Sequence, residues 1–328
     1  MITEVAVGIV VRADGAVLIG QRLQGKPYAG WWEFPGGKFE AGEDAALALA
    51  RELDEELGIT VLESWPWVVR EHVYEHAHVR LHFRRVVRWT GQVTSREGQA
   101  FVWRAPSAID VEPLLPAAIA PIAWLGLPSE YAISDAGRRG AAAFLAGLER
   151  RLRDPGQPLR LVQLREPSLS AAEFEALFQG VRERLRGADA RLLVSSRHPQ
   201  RFWFQAGESA AGGGVHYTGR DLRAAAARGG PRPALPLVAA SCHHPQDLAL
   251  AGMLGLDLVV YGPVQATASH PAAVPLGWHA FQAAIALAPV PVYALGGMSL
   301  PDLEQAMRCG AHGIAAQRAS WSDRAGQP

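Results

Sequence analysis

The sequence predicts two α/β domains in series, the first a mixed sheet flanked by helices and the second a closed barrel of eight parallel strands. Three observations carry this reading. The chain has 328 residues, more than one hydrophobic core usually supports. Residues 4–104 place strand-like stretches on both sides of one Glu-rich helical segment. From Tyr131 onward, short apolar strands alternate with helical stretches, a rhythm that implies a parallel sheet, and eight such units imply a barrel. A boundary near Pro128 gives domains 1–128 and 129–328. Roughly 200 residues is the lower limit for an eightfold barrel, so its loops must be short.

Composition narrows the function classes. An apolar content of 49% with 20% charged residues builds large cores and argues against disorder. Lys+Arg and Asp+Glu both total 32, and no basic tail or block stands out, so polymeric nucleic acid and acidic membranes are not expected partners. Small anions remain open. The start, MITEVAVGIVV, lacks the basic region of a secretory leader, and the apolar run Ala117 to Leu127 contains Pro121 and is too short to span a bilayer. Two cysteines, Cys242 and Cys309, form no disulfide framework and point to a reducing cytoplasm.

Taken in order, Glu4 to Val11 and Ala16 to Gln21 read as two strands joined at Ala13-Asp14-Gly15, where Asp-Gly is a hairpin signal. Arg22 follows. Leu23 to Glu33 is irregular, with Gly25, Pro27, Gly30, Trp31 and Trp32, and makes a plausible substrate rim leading into Glu33-Phe34-Pro35-Gly36-Gly37. Asp44 to Leu57 holds no Pro or Gly, is rich in Ala, Leu and Glu, and stops at Gly58, a residue suited to a left-handed cap; it predicts a helix. Helical spacing puts Ala46, Ala50, Leu53 and Leu57 on one stripe and gathers Glu52, Glu55 and Glu56 in a sector away from it. Glu52 and Glu56, four apart, repel on a bare helix, and a divalent cation would reverse that sign. The Gly-Gly loop lets backbone groups approach a metal or phosphate closely. Trp65 to Val73, Val79 to Trp89 and Ala100 to Arg104 complete the strands, with turns at Gly91 and Gly98. Pro113 to Leu127 reads as a closing helix that starts at Pro116.

The stretch GGKFEAGEDAALALARELDEELGI carries a stricter signal. Five residues separate Gly37 from Glu43, seven more precede Arg51, and Arg51 to Ile59 runs on without a gap. This spacing resembles the Nudix box, and residues up to about Trp124 resemble the MutT type, the sanitising 8-oxo-dGTP diphosphatases. The resemblance implies an α/β/α sandwich with a mixed sheet, and a Mg²⁺- or Mn²⁺-dependent pyrophosphohydrolase that releases a monophosphate and pyrophosphate. It implies that Gly36, through its carbonyl, and Glu52, Glu55, Glu56 and Glu97 hold the cations. Water would attack phosphorus, with Glu52, Glu55 or Glu97 taking its proton and Arg51 orienting the carboxylates. Arg22, Glu33, Phe34, Pro35, Gly36 and Gly37 match nucleotide-contacting positions. The chain departs from the MutT pattern at Ala118, where an asparagine reads the oxidised purine edge, and at Ala77, where an arginine stands.

In the second domain the strands read are Tyr131 to Ser134, Leu159 to Leu164, Leu192 to Ser195, Gly214 to Tyr217, Leu235 to Ala240, Leu256 to Tyr261, Val292 to Leu295 and Gly313 to Gln317. Val162-Gln163-Leu164-Arg165-Glu166, Gly214-Val215-His216, Tyr261-Gly262-Pro263-Val264, Ala294-Leu295-Gly296-Gly297-Met298 and Gly310-Ala311-His312-Gly313 stand in the order seen in thiamine phosphate synthases and TenI-like barrels. The resemblance covers Tyr131 to Ser320 and implies a (β/α)8 (TIM) barrel with a phosphorylated thiazole or thiamine ligand, Gly296 and Gly297 forming a phosphate cradle. Gln163 and Arg165 match site positions, Asp221 a Mg²⁺ ligand, and His243 the proton-transfer histidine of thiazole tautomerases. Pro167, Ser195-Ser196, His270 and Arg318 replace a lysine, an Asn-Asp pair, a second lysine and a serine of the synthases. Three functions follow as expectations: a Nudix pyrophosphohydrolase; a thiamine biosynthesis or salvage enzyme with an accessory Nudix domain; or a Nudix enzyme whose barrel is a non-catalytic module for a phosphorylated ligand.

Overall fold

A computed structural model describes residues 2–267 and 273–322. By compactness the chain forms two units, Met1–Leu127 with Ala286–Pro289, and Pro128–Ile285 with Val290–Pro328.

The first unit holds strands β1 (Thr3–Val10), β2 (Val17–Gln21), β3 (Trp32–Glu33) and β4 (Gly36–Lys38), helix α1 (Ala45–Leu57), strands β5 (Thr60–Tyr74), β6 (Ala77–Thr90) and β7 (Phe101–Arg104), and helix α2 (Pro116–Leu125). One sheet runs β4-β1-β6-β5 and is mixed, because β1 and β6 are parallel while the other pairs are antiparallel. A second, antiparallel sheet runs β3-β2-β7. The hairpin expected at Asp14-Gly15 is therefore only a stub. Apart from a single bridge between Val11 and Val17, β1 and β2 diverge into different sheets. Both strands have better partners: β1 gains eight residues of parallel register with β6, whereas a hairpin ladder would leave that edge open.

The registers position the site. Ala6 faces Gly37 across β1 and β4, and Gly20 faces both Glu33 on β3 and Phe101 on β7. The Gly8 amide donates to the Pro35 carbonyl at 2.8 Å, which fixes the loop between the two sheets. Asp44 caps α1, its side chain accepting from the Ala46 and Leu47 amides at 2.8 and 2.9 Å, and Gly58 ends it at φ +69°. The buried stripe is Ala48, Leu49, Leu53 and Leu57, which join Ala6, Val10, Leu18, Ile59 and Val86 in one core. Leu53 and Leu57 lie where the periodicity placed them. Ala46 and Ala50 are only partly buried, and Leu49 takes the central position because a leucine reaches the β1 surface where an alanine does not.

The second unit is a closed barrel of β8 (Glu130–Ile133), β9 (Leu161–Leu164), β10 (Arg191–Ser195), β11 (Gly214–Tyr217), β12 (Leu237–Cys242), β13 (Leu258–Tyr261), β14 (Val292–Leu295) and β15 (Gly313–Ala316), every neighbouring pair parallel. The eight expected strands are all present, with ends shifted by up to two residues. The helix Ala171–Leu185 shows how the sequence builds the outer layer: Ser170 and Glu173 form a capping box, and Phe174, Leu177, Phe178, Val181 and Leu185 recur at helical spacing as its buried face. At the amino ends of the strands, buried Glu130 accepts from Arg151 Nη2 at 2.6 Å and Ser320 Oγ at 2.8 Å. His270 lies outside the described residues. Cys242 and Cys309 are buried, free thiols. Among the described residues no helix is long and apolar enough to cross a membrane.

Candidate functional sites

In the first unit the candidate site forms where the loop between β3 and β4 meets the exposed side of α1. Gly37 and Gly36 serve different purposes there. A Cβ on Gly37 would stand 2.0 Å from the carboxyl carbon of Glu52, so the missing side chain is the space that carboxylate occupies. A Cβ on Gly36 would stand 2.1 Å from the Ala6 carbonyl oxygen, and its φ of +143° is one that only glycine adopts readily. Arg51 organises the carboxylates. Its Nε and Nη2 donate to the two oxygens of Glu43 at 2.8 and 3.0 Å, its Nη1 to Glu52 at 3.0 Å and Glu55 at 3.1 Å, and its Nη2 also to the Lys38 carbonyl at 2.9 Å. Hydrogen bonding to Arg51 lowers the Glu43 carboxyl to about 2.

On the other side of Glu52, negative charge is only partly compensated, by Lys26. The Glu56 carboxyl is pushed up to about 7 by burial first, then by the charges of Glu52 and Glu97, against the weaker pull of Lys26 and the Gly36 backbone. Burial also raises Glu52, against Arg51. Glu97 meets Lys26 Nζ at 3.3 Å. Arg22 Nη1 donates to Glu33 at 2.5 Å and its Nε to the Pro27 carbonyl at 2.8 Å, while burial raises the Glu33 carboxyl despite that partner. Beside them Tyr28 packs against Trp31, Tyr74 and His76 with centroids 5.2, 5.4 and 5.9 Å away.

Of the residues expected from sequence, Arg22, Glu33, Phe34, Pro35, Gly36, Glu56 and Glu97 line one cleft. Gly37 and Glu52 stand in contact at the start of β4, and Arg51 ties Glu52 to Glu55, whose side chain is 58% exposed. Lys26, Gln99 and Phe101 also line the cleft and were missed, as was the role of Glu43 as the partner of Arg51. Lys26 could have been found as the one cation in the irregular rim segment. Ala118 is buried on α2, and Ala77 opens β6.

The residues suit a hard divalent cation by donor chemistry: oxygen donors that raise one another's pKa are relieved by a cation among them. Among the described residues no group of three or more His, Cys, Asp or Glu side chains is already arranged to hold a metal ion. A cation held by one or two of these carboxylates would keep several waters, which is the habit of Mg²⁺.

In the barrel a cavity of about 680 Å³ opens at the carboxyl ends of the strands. Of the residues singled out in the barrel sequence, Gln163, Arg165, His243, Gly296 and Gly297 line it. Asp221 does not; Thr218, which accompanies it, does. Arg197, Ser241, Gln317 and Arg318 line it too. His243 Nδ1 lies 3.2 Å from the Gly262 carbonyl, which fixes the N–H there and leaves Nε2 as the ring's basic nitrogen. Deeper in the barrel, Tyr131 Oη, His216 Nδ1, His216 Nε2 and Ser241 Oγ form a chain with both links at 2.9 Å. Burial brings the His216 pKa down to about 3, so the ring is neutral.

Comparison with known proteins decides the families. A model of the NUDIX domain matches residues 6–123, and a model described as thiamine monophosphate synthase matches residues 130–319, more than half of the chain. The 8-oxo-dGTP diphosphatase of Haemophilus influenzae is 38% identical over 116 residues, which cover 35% of this chain and 85% of that protein. The chain belongs to both families. Its Nudix domain is homologous to 8-oxo-dGTP diphosphatases, which are hydrolases acting on phosphoric anhydrides. The CTP pyrophosphohydrolase of Escherichia coli is 38% identical to the same domain over 119 residues, covering 34% of this chain and 84% of that protein. For the thiamine monophosphate synthase domain, a solved thiamine phosphate pyrophosphorylase from Pyrococcus furiosus aligns with 20% identity and a TM-score of 0.45, covering 60% of this chain and 88% of that one.

Proposed function

We propose that the Nudix domain hydrolyses a nucleoside triphosphate to the monophosphate and pyrophosphate with Mg²⁺, and that 8-oxo-dGTP is the first substrate to test. The observation that carries this is the division of labour around Arg51: it neutralises Glu43 and steadies Glu52 and Glu55, while Glu56, coupled by charge to Glu52 and Glu97, pairs with no arginine side chain among the described residues. Glu52 and Glu56, with the Gly36 carbonyl and Glu97, would hold the cation, and Mn²⁺ could replace Mg²⁺. When bound, the cation supplies neutralisation of phosphate charge and a more acidic water. The chain's own groups do the rest. Lys26 and Arg22 meet phosphate charge at the rim, and Tyr28, Trp31 and Tyr74 offer a face on which a base can stack. Glu52, Glu55 or Glu97 accepts the proton of the attacking water.

The substrate's base is left to the rim. With Ala118 and Ala77 in place of polar side chains, the purine edge meets fewer partners there, and relatives named for 8-oxo-dGTP and for CTP both stand near this domain. A panel of nucleoside triphosphates with 8-oxo-dGTP, scored separately for pyrophosphate and phosphate release, tests the reading; Glu56→Gln should abolish turnover while the fold survives. Near wild-type turnover by that variant would sink the site assignment.

A second reading concerns the barrel: it binds a phosphorylated ligand of the thiamine type, either to transform it or to hold it. The cavity and the basic Nε2 of His243 support this. Product formation from thiazole and pyrimidine phosphates by a fragment starting at residue 129, our proposed domain boundary, separates the two roles. We place both activities in the cytoplasm, in keeping with two buried free thiols.

A further inference from the structure

The Mg²⁺-diphosphate arrangement implied for a synthase barrel does not fit the residues present. The cavity at the carboxyl ends of the strands is lined by Arg165, Arg197 and Arg318, and among the described residues no carboxylate lines it. Asp221, the carboxylate expected there, is already engaged. Its Oδ2 accepts from Ser196 Oγ at 2.6 Å and Thr218 Oγ1 at 2.7 Å, and Arg220 Nε lies 3.7 Å from its Oδ1. Burial works against its charge, but those hydroxyls, with Arg220 and Arg197, hold the carboxyl below the usual range as a satisfied anion. Glu166 is also taken, accepting from the Ala136 and Gly137 amides at 2.8 and 2.7 Å.

Donors and positive charge, by contrast, line the cavity directly. Among the described residues neither Arg165 nor Arg197 has an ion-pair partner within 4 Å, and Arg165 is held below its ordinary pKa by burial and then by the charge of Arg197, against the weaker attraction of Glu166. Gln163 Nε2 is buried, its side chain lines the cavity, and the Tyr131 hydroxyl is the neighbour toward which it can donate, without a well-formed hydrogen bond. A buried amide donor with hydrogen-bonding capacity to spare, beside two guanidinium groups that no carboxylate contacts directly among the described residues, suits an acceptor that carries negative charge. A dication added to the same space would be repelled by both arginines with no carboxylate to hold it. Ile133, Val260, Leu295 and Met298 supply apolar wall for the rest of the ligand.

We propose that this barrel binds a phosphate ester carrying an apolar ring directly through Arg165, Arg197 and the Gln163 amide, without a divalent cation. The proposal rests on the phosphorylated-ligand reading of the barrel and replaces the family's metal with arginine.

Titration calorimetry of the full chain with phenyl phosphate, once in EDTA and once in Mg²⁺, tests it. The expected result is the same dissociation constant in both, weakened roughly tenfold or more in Arg197→Gln, as for loss of one charge-assisted hydrogen bond. Arg197 is exposed, so the variant should fold. Binding that appears only with Mg²⁺ overturns metal independence and leaves the phosphorylated-ligand reading standing. No binding in either buffer removes both. Unchanged binding by both Arg197→Gln and Arg165→Gln also overturns the proposal, because the anion would then be held elsewhere.

Discussion

Arg51 and Glu43 meet in a two-pronged pair, Nε to Oε1 at 2.8 Å and Nη2 to Oε2 at 3.0 Å, and this pair is the fixed point from which the carboxylate face of α1 is built. Glu43 precedes the helix and Arg51 sits two turns into it, so the pair pins the loop to the helix. Nη1 remains free to hold Glu52 and Glu55. A lysine could keep the charge but not the fork. If Glu52 and Glu55 serve the cation as proposed, Arg51→Lys should lower kcat by roughly 10- to 100-fold, the usual effect of removing a group that orients metal ligands, with little change in Tm. Steady-state kinetics and a melting curve on the same preparation check it.

The two loop glycines should fail in different ways. Gly36→Ala drives a Cβ into the Ala6 carbonyl and forces a left-handed φ on alanine, so it should cost roughly 1–3 kcal/mol of stability or more and lower Tm. In Gly37→Ala the nearest atoms the new Cβ meets are the end of the Glu52 side chain, which can swing away. That variant should fold normally and lose activity. Denaturant melts and turnover measured side by side would contradict this account if the two variants behaved alike.

Glu56 makes the metal-free protein sensitive to pH. Its folded-state pKa of about 7 lies above the ordinary 4.5, so the folded chain holds more protons than the unfolded chain between those values. Stability from this group is fully present below about 4.5 and is lost as pH rises through about 7. Chemical denaturation in EDTA should show stability falling across that window, and Glu56→Gln should flatten the fall. An unchanged slope in the variant would assign the titration to another group.

Arg151 and Glu130 make the complementary case in the barrel, a buried pair far from any proposed chemistry. Arg151→Met leaves the Glu130 carboxylate buried with only the Ser320 hydroxyl among the two partners described above. Breaking such a pair by removing one member costs about 3–5 kcal/mol. The measurement is the shift in denaturation midpoint of the barrel transition, while phosphate-ester binding at the other end of the strands should persist wherever the variant remains folded.

The sequence by itself determined the reaction class and both architectures. The spacing from Gly37 to Ile59 is local: one loop and one helix carry Glu52, Glu55 and Glu56, so periodicity alone could place them on one face. Eight short apolar strands between helices determined the barrel for the same reason, because burial of a parallel strand on both faces writes a continuous apolar run. The tertiary structure decided what depends on contacts between distant segments. It brought Lys26 and Glu97, 71 residues apart, to the cleft that Glu56 lines, sent β1 and β2 into different sheets, and turned Asp221 onto Ser196 and Thr218. A side chain's charge is written in the sequence, but whether that charge is already satisfied depends on its neighbours in space, and that separates Glu43 from Glu56 and Asp221 from Arg165.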